Sequence, residues 1–318
     1  MRLRYLVLFV AVATPLAGAC DRAFPQRPRT AFSGEQALAY VAAQVAFGPR
    51  VPGSPAAKKA GDWIEQQMRQ RADTVIVQRW THVTAAHDTL PLRNILARFN
   101  PKATQRVLYL THWDTRPHAD EDPMIAKRAG SFDGANDGAS GVGLFVALAD
   151  LLKKTPPSLG VDLLFVDGED WGSFTGYESG EAPDVLIGST YFASHLPEPG
   201  YKPIFGVLFD MIGDKDLHIY QESYSLQVAP EVVRRVWQTA ADLGYGSVFI
   251  PQDDGGITDD HVPLQKAGLH VIDVIDLKYL TPPGTPTYYH HTTMDTMDKI
   301  SAKSLQIVGD VAVKLIAG

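Results

Sequence analysis

The stretch VDLLFVDGEDWG runs an apolar segment, Leu163 to Val166, straight into three acids, Asp167, Glu169 and Asp170. Adjacent carboxylates beyond a buried strand are costly unless they hold a metal, an ion partner or a proton in transit. The same pattern recurs along the chain. VLYL leads into THWDTRP with His112 and Asp114, and DGANDGASGVG contributes Asp137. GVLFD ends at Asp210, ITDDH brings Asp259, Asp260 and His261, and YYHHTTMDT brings His290 and His291.

Taken one at a time, each residue has a plain structural explanation. An Asp after a strand often caps a turn or helix, and Asp133, Asp137 and Ser140 all lie among glycines where capping is common. Acids and histidines gathered at several strand ends fit shared metal coordination better. Histidine and carboxylate donors without any thiol suit zinc, which in catalytic sites takes three protein ligands and leaves one position open. One acid of the Glu169-Asp170 pair would then hold the metal, and its neighbour would move protons.

Strands must carry these residues to one edge. Runs at 74–80, 93–99, 107–111, 161–166, 204–209, 217–220, 248–250 and 271–275 read as strands. Helical patterns occupy 33–46, opened by a Ser33 cap, and 55–71. Further helices are expected at 142–153, at 230–243 behind Pro230, and at 301–316. Strands alternating with helices predict an α/β fold: a doubly wound, mixed but mostly parallel sheet with helices on both faces. Such sheets bind ligands just outside the carboxyl ends of their strands.

Composition bounds the setting. The 318 residues are 45% hydrophobic and 20% charged, with a formal net charge of -7, an ordinary globular balance. No Lys/Arg-rich run provides the footprint of a nucleic-acid partner. Residues 1–20 read as an export signal: Arg2 and Arg4, a short apolar core, then small residues ending at Cys20, the only cysteine. The Leu16-Ala17-Gly18-Ala19-Cys20 segment resembles a bacterial lipoprotein signal, in which the cysteine is lipidated. The expectation is therefore an exported, periplasmic or cell-envelope lipoprotein. Its membrane contact would run only through Cys20, residues 21–29 would be a linker, and one catalytic domain would span residues 30–318.

GANDGASGVG, VDGEDWG, FDMIGD, TDDHVP and HHTTMDT, in this order, resemble the zinc aminopeptidase and glutaminyl cyclase superfamily. HWDTRPHAD, GYGSVF and the TDDH segment are most similar to the bacterial, mammalian-type glutaminyl-peptide cyclotransferases. The resemblance covers the chain from about Phe47 onward. It implies Asp137, Asp170 and His291 as ligands of one zinc ion and Glu169 as general acid/base. Asp210 and Asp259 would complete an acid network with that glutamate. The implied substrate is a peptide or protein with a free N-terminus, preferably glutamine, converted to pyroglutamate with release of ammonia by a monomeric enzyme.

The same superfamily implies a rival, a two-zinc aminopeptidase in which His112, Asp137 and Asp210 hold the second ion. A non-catalytic binding lipoprotein on the same fold is a third expectation, set against the intact Glu169 and ligand set. The chain departs from the cyclase pattern in its pocket. His290 stands where cyclases usually carry Trp, and no Trp lies at 184–187 ahead of Gly188-Ser189-Thr190-Tyr191. Trp113, Trp171 and His290 are the candidate pocket residues, with Phe174, Tyr177 and Tyr289 as further aromatic candidates.

Overall fold

The computed structural model describes residues 30–177, 179–278 and 288–317. The export signal, Cys20 and the linker at 21–29 lie outside the described residues. Among the described residues no helix is long and apolar enough to cross a membrane.

Two helices open the fold. Ser33 accepts from the Gln36 N–H to cap α1 (Gly34–Val45), and Ser54 caps α2 (Pro55–Arg69) with Pro55 in its first turn. The hairpin β1 (Thr74–Val83) and β2 (Thr89–Phe99) follows. The alternation then runs β3 (Arg106–His112), α3 (Ala139–Lys154), β4 (Gly160–Val166), α4 (Ile187–Ser194) and β5 (Phe205–Asp210). It continues through β6 (Ile219–Gln221), α5 (Ser223–Val228), α6 (Pro230–Asp242), β7 (Phe249–Asp253), α7 (His261–Lys266), β8 (Val271–Ile275) and α8 (Ala302–Ile316).

The main sheet has the order β1-β2-β4-β3-β5-β8. β4, β3, β5 and β8 are parallel, and the hairpin adds antiparallel through the β2–β4 pair. β6 and β7 pair with each other in a separate two-stranded sheet instead of joining the main one. The short helices α4, α5 and α7 leave no clear periodicity in the sequence, because one or two turns sample too little of a helical face.

The parallel strands are buried on both faces and read as continuous apolar runs. Val107 and Tyr109 of β3 enter the core shared with α1, α2, α3, α6 and α8, while Leu108 and Leu110 enter the core shared with α4 and α7. β4 divides likewise, with Leu163 and Phe165 on one side and Leu164 and Val166 on the other. This period of two gives the sheet helices on both faces. The chain builds β4 on one side of β3 and β5 on the other, so the winding reverses at β3. A crevice opens at such a reversal, at the carboxyl ends of the strands.

Two glycines of GASGVG let α3 sit deep in this arrangement. A Cβ on Gly141 would lie 2.7 Å from the Phe209 carbonyl oxygen of β5, and one on Gly143 would lie 2.7 Å from the Ala37 carbonyl oxygen of α1. Both neighbours are backbone and cannot swing away. Gly141→Ala and Gly143→Ala are each expected to lower stability by about 1–3 kcal/mol through overpacking. Urea unfolding checks this, and midpoints equal to wild type would show that α3 has room to move.

Candidate metal centre

The strand ends converge in the crevice. His112 is the last residue of β3 and Asp210 the last of β5. Glu169 and Asp170 follow β4, Asp137 precedes α3, and His291 sits in the loop ahead of α8; all are buried. His291 Nε2 lies 3.1 Å from Asp170 Oδ2 and 3.4 Å from Asp137 Oδ2. His112 Nε2 lies 3.0 Å from Asp137 Oδ1 and 3.1 Å from Asp210 Oδ1. Asp137 therefore faces both imidazoles and does not cap α3, whose N-cap is Gly138 without a side-chain cap bond.

Two residues adopt left-handed backbone to achieve this. His291 has φ +50° and Met211, directly after Asp210, has φ +47°. Strain of this kind in non-glycine residues persists where the surroundings over-determine the geometry, and it collects at functional sites.

A supporting shell fixes the ligands. Asp114 accepts from the N–H groups of Glu169 at 3.2 Å and Asp170 at 3.3 Å, one per carboxylate oxygen. Asp295 does the same for Asn136 at 2.8 Å and Asp137 at 3.1 Å. Arg50, fully buried, donates to the carbonyls of Asp133 and Gly134 and so pins the GANDG loop. Arg116 donates to Asp170 Oδ1 at 3.0 Å and holds Asp120 as well. Glu121 faces both His290 and His291. Sequence reasoning singled out none of Arg50, Glu121 or Asp295. Asp295 lies inside the HHTTMDT motif, the one signal that marked it.

Electrostatics follow from burial. Burial pushes the Glu169 carboxyl well above the usual range, Asp170 and Asp259 push it further, and His112 opposes them. Asp259 is raised by burial and then by Asp210 and Asp260, and Asp210 by burial against the pull of His112. Asp137 goes the other way: burial would raise it, but His112 and His291 together hold it well below the usual range. Asp295 is pushed up to about 7 by burial and by Asp137.

The residues fit a metal ion. Asp137 Oδ2 and Asp170 Oδ2 are buried without a hydrogen-bond partner, and both face His291 Nε2. Two carboxylates and an imidazole make a three-ligand zinc set with a position to spare. His112, Asp137 and Asp210 form a second group close enough to hold an ion.

A cavity of about 450 Å³ opens over these groups. Asp137, Glu169, Asp170, Asp210, Asp259, His290 and His291 line it, with Phe174, Met211, Ile257 and Leu277 as its apolar wall. Neither Trp113 nor Trp171 is among its walls. Trp113 is in the core, donating from Nε1 to the Arg93 carbonyl, and lines a separate groove of about 880 Å³ beside α2 and the hairpin. Trp171 packs with Leu90, Leu92 and Ile187. Both follow a site residue in sequence, yet both side chains pack away from the crevice, Trp113 in the core and Trp171 against β2 and α4. Tyr289 is buried with its hydroxyl on Asp214.

Replacing Asp114 or Asp295 by Asn puts an N–H₂ where an acceptor met a backbone N–H. Each substitution is expected to lower zinc affinity roughly 10- to 100-fold, as changes behind metal ligands do. Competition against a chromogenic chelator measures it, and wild-type affinity in both variants would deny them a role in holding the ligands. His291→Ala is expected to abolish stoichiometric zinc uptake; full zinc content after dialysis would take it off the ligand set.

Comparison with known proteins places this geometry. A glutaminyl cyclase of Porphyromonas gingivalis is 38% identical, with a TM-score of 0.84 covering 89% of this chain and 97% of that one. A Zn-dependent exopeptidase of Parabacteroides distasonis is 35% identical, also with a TM-score of 0.84, covering 92% of this chain and 100% of that one. Aminopeptidase YwaD of Bacillus subtilis is 26% identical over 265 residues, 80% of this chain and 48% of its own length. The chain thus spans about half the length of that relative. Residues 94–316 match peptidase family M28 and include every candidate ligand, and the chain belongs to that family.

Proposed function

We propose that the chain is a zinc-dependent glutaminyl-peptide cyclotransferase, exported and held at the cell envelope through Cys20, acting on peptides with an N-terminal glutamine. One observation carries the choice within the family. Around His291, two buried carboxylate oxygens lack any donor, as a metal ligand set requires. Around His112, Nε2 and Asp210 Oδ1 meet through an N···O hydrogen bond at 3.1 Å, and the atom without a partner there is a ring nitrogen, Nδ1. Asp210 Oδ1 also accepts from the Met211 N–H. One ion site and one hydrogen-bonded acid site suit a reaction that needs no activated water. Its likeness to the P. gingivalis glutaminyl cyclase over nearly the whole of both chains supports the same reading.

Asp137, Asp170 and His291 would hold the ion, and zinc bound there supplies Lewis-acid polarisation of a carbonyl. The chain's own groups do the rest. The cavity seats the N-terminal residue against Met211, Ile257 and Leu277, with its α-amine beside Glu169. As the α-amine nitrogen attacks the side-chain amide carbon, Glu169 takes a proton from it. Glu169 then gives that proton to the leaving nitrogen, the carbon–nitrogen bond breaks and ammonia departs. A carboxyl whose charged form is disfavoured by burial holds a transferred proton more firmly than an exposed carboxylate would, as a group that takes a proton and passes it on must. Asp259 adds to this by raising the cost of negative charge on Glu169, and Asp210 raises Asp259 in turn.

The second reading is a two-zinc aminopeptidase, favoured by the complete His112, Asp137 and Asp210 group. Mass spectrometry of a peptide beginning Gln-Leu separates the two: loss of ammonia alone is expected. Release of free N-terminal residues would replace the cyclase reading by the aminopeptidase one. Glu169→Gln is expected to cut turnover by about 10²–10⁴-fold with zinc content unchanged. Residual activity near wild type would mean another group moves the proton.

A further inference from the structure

Glu121 and His290 sit at the cavity beside the metal ligands, and neither has a part in the chemistry above. Glu121 Oε2 lies 3.3 Å from His290 Nδ1, and Glu121 Oε1 lies 3.6 Å from His291 Nδ1. The Tyr288 hydroxyl donates to the same Oε2 at 2.9 Å and lies 3.1 Å from His290 Nδ1. The two imidazole rings stack, with centroids 3.6 Å apart and planes 25° apart. A single carboxylate thus faces the Nδ1 atoms of two stacked rings.

An ionised carboxylate is an acceptor only, so each Nδ1 opposite it carries the proton. In a neutral imidazole the other nitrogen, Nε2, is then an acceptor on the far side of the ring. For His291 that nitrogen faces Asp137 and Asp170. For His290 it is a second acceptor beside the first, on a side chain that lines the cavity. With an ion held at His291 Nε2, a primary amide would offer a matching pair, its oxygen to the ion and an N–H to His290.

We infer that His290, held in its Nδ1–H form by Glu121 and Tyr288, is a substrate-positioning residue that accepts a hydrogen bond from the side-chain amide N–H of an N-terminal glutamine. This rests on the cyclase reading above. Glu121 acts on both rings. One oxygen orients ligand His291, and the other makes His290 present an acceptor instead of a donor toward the substrate. A carboxylate behind a metal-binding imidazole is a recurrent arrangement; here the same group also addresses the neighbouring ring. Asp120 and Arg116, also in the cavity wall, pair with each other, with Asp120 Oδ1 3.9 Å from His291 Nδ1 and Arg116 also on Asp170.

The test compares His290→Phe and His290→Gln with wild type, all loaded with zinc. Phe keeps the flat ring without an acceptor, and Gln restores both an N–H for Glu121 and a carbonyl acceptor. Three quantities are read: zinc content, kcat and KM on the Gln-Leu peptide, and calorimetric affinity for that peptide in the Glu169→Gln background. His290→Phe is expected to raise both KM and the dissociation constant roughly tenfold, with kcat and zinc content near wild type. His290→Gln is expected to recover most of that loss. KM and affinity of His290→Phe within about twofold of wild type would overturn the assignment while leaving the cyclase reading intact. Hydrolysis of the peptide by wild type instead of cyclisation would overturn that reading, and the glutamine assignment with it.

Discussion

Carboxylates buried together at one sheet edge are the constraint on which the rest of this structure depends. Asp137, Glu169, Asp170, Asp210 and Asp259 are all nearly inaccessible to water and close enough to raise one another's cost of ionisation. Like charges in a poorly hydrated space separate, neutralise or take up a cation. Here the imidazoles of His112 and His291 supply part of the compensation, and an ion held by Asp137, Asp170 and His291 would supply more. Acids left outside that set keep their protons more tightly, which is the property a proton-transferring glutamate needs.

Holding such a centre demands rigidity, and the fold provides it from beneath. The loops that carry the acids are tied by backbone hydrogen bonds to other buried acids, Asp114 under Glu169 and Asp170, and Asp295 under Asn136 and Asp137. Arg50 adds a buried guanidinium that binds carbonyls instead of carboxylates, so it stiffens the loop without discharging the ligands. Burial lowers its own pKa to about 10, still cationic at any working pH. Left-handed backbone at Met211 and His291 adds strain at two further points of the same centre.

The balance between one ion and two turns on how His112 is satisfied. Its Nε2 faces Asp137 and Asp210 in a geometry that serves either a hydrogen bond or a shared metal. The same residues therefore suit either reading, one ion or two. This is why the ligand list alone does not discriminate between cyclisation and hydrolysis.

The order of strands and long helices, the parallel sheet, and the edge at which chemistry would occur were legible in the sequence. Apolar runs ending in acids have few physical explanations, and periodicity survives over long elements such as α3 and α8. The pocket walls were legible only in part: His290 and Phe174, named as pocket candidates, do line the cavity. Trp113 and Trp171 adjoin site residues in the chain yet point elsewhere, while Phe174, Met211 and Leu277 arrive from separate loops. Nor did the sequence reveal that Arg50, Glu121 and Asp295 stand behind the ligands, because each acts across a long chain separation. Residue type and strand position decide that a cation-demanding acid cluster must form; which groups orient it and which face the substrate depends on side-chain direction, and only the packed tertiary structure determines that.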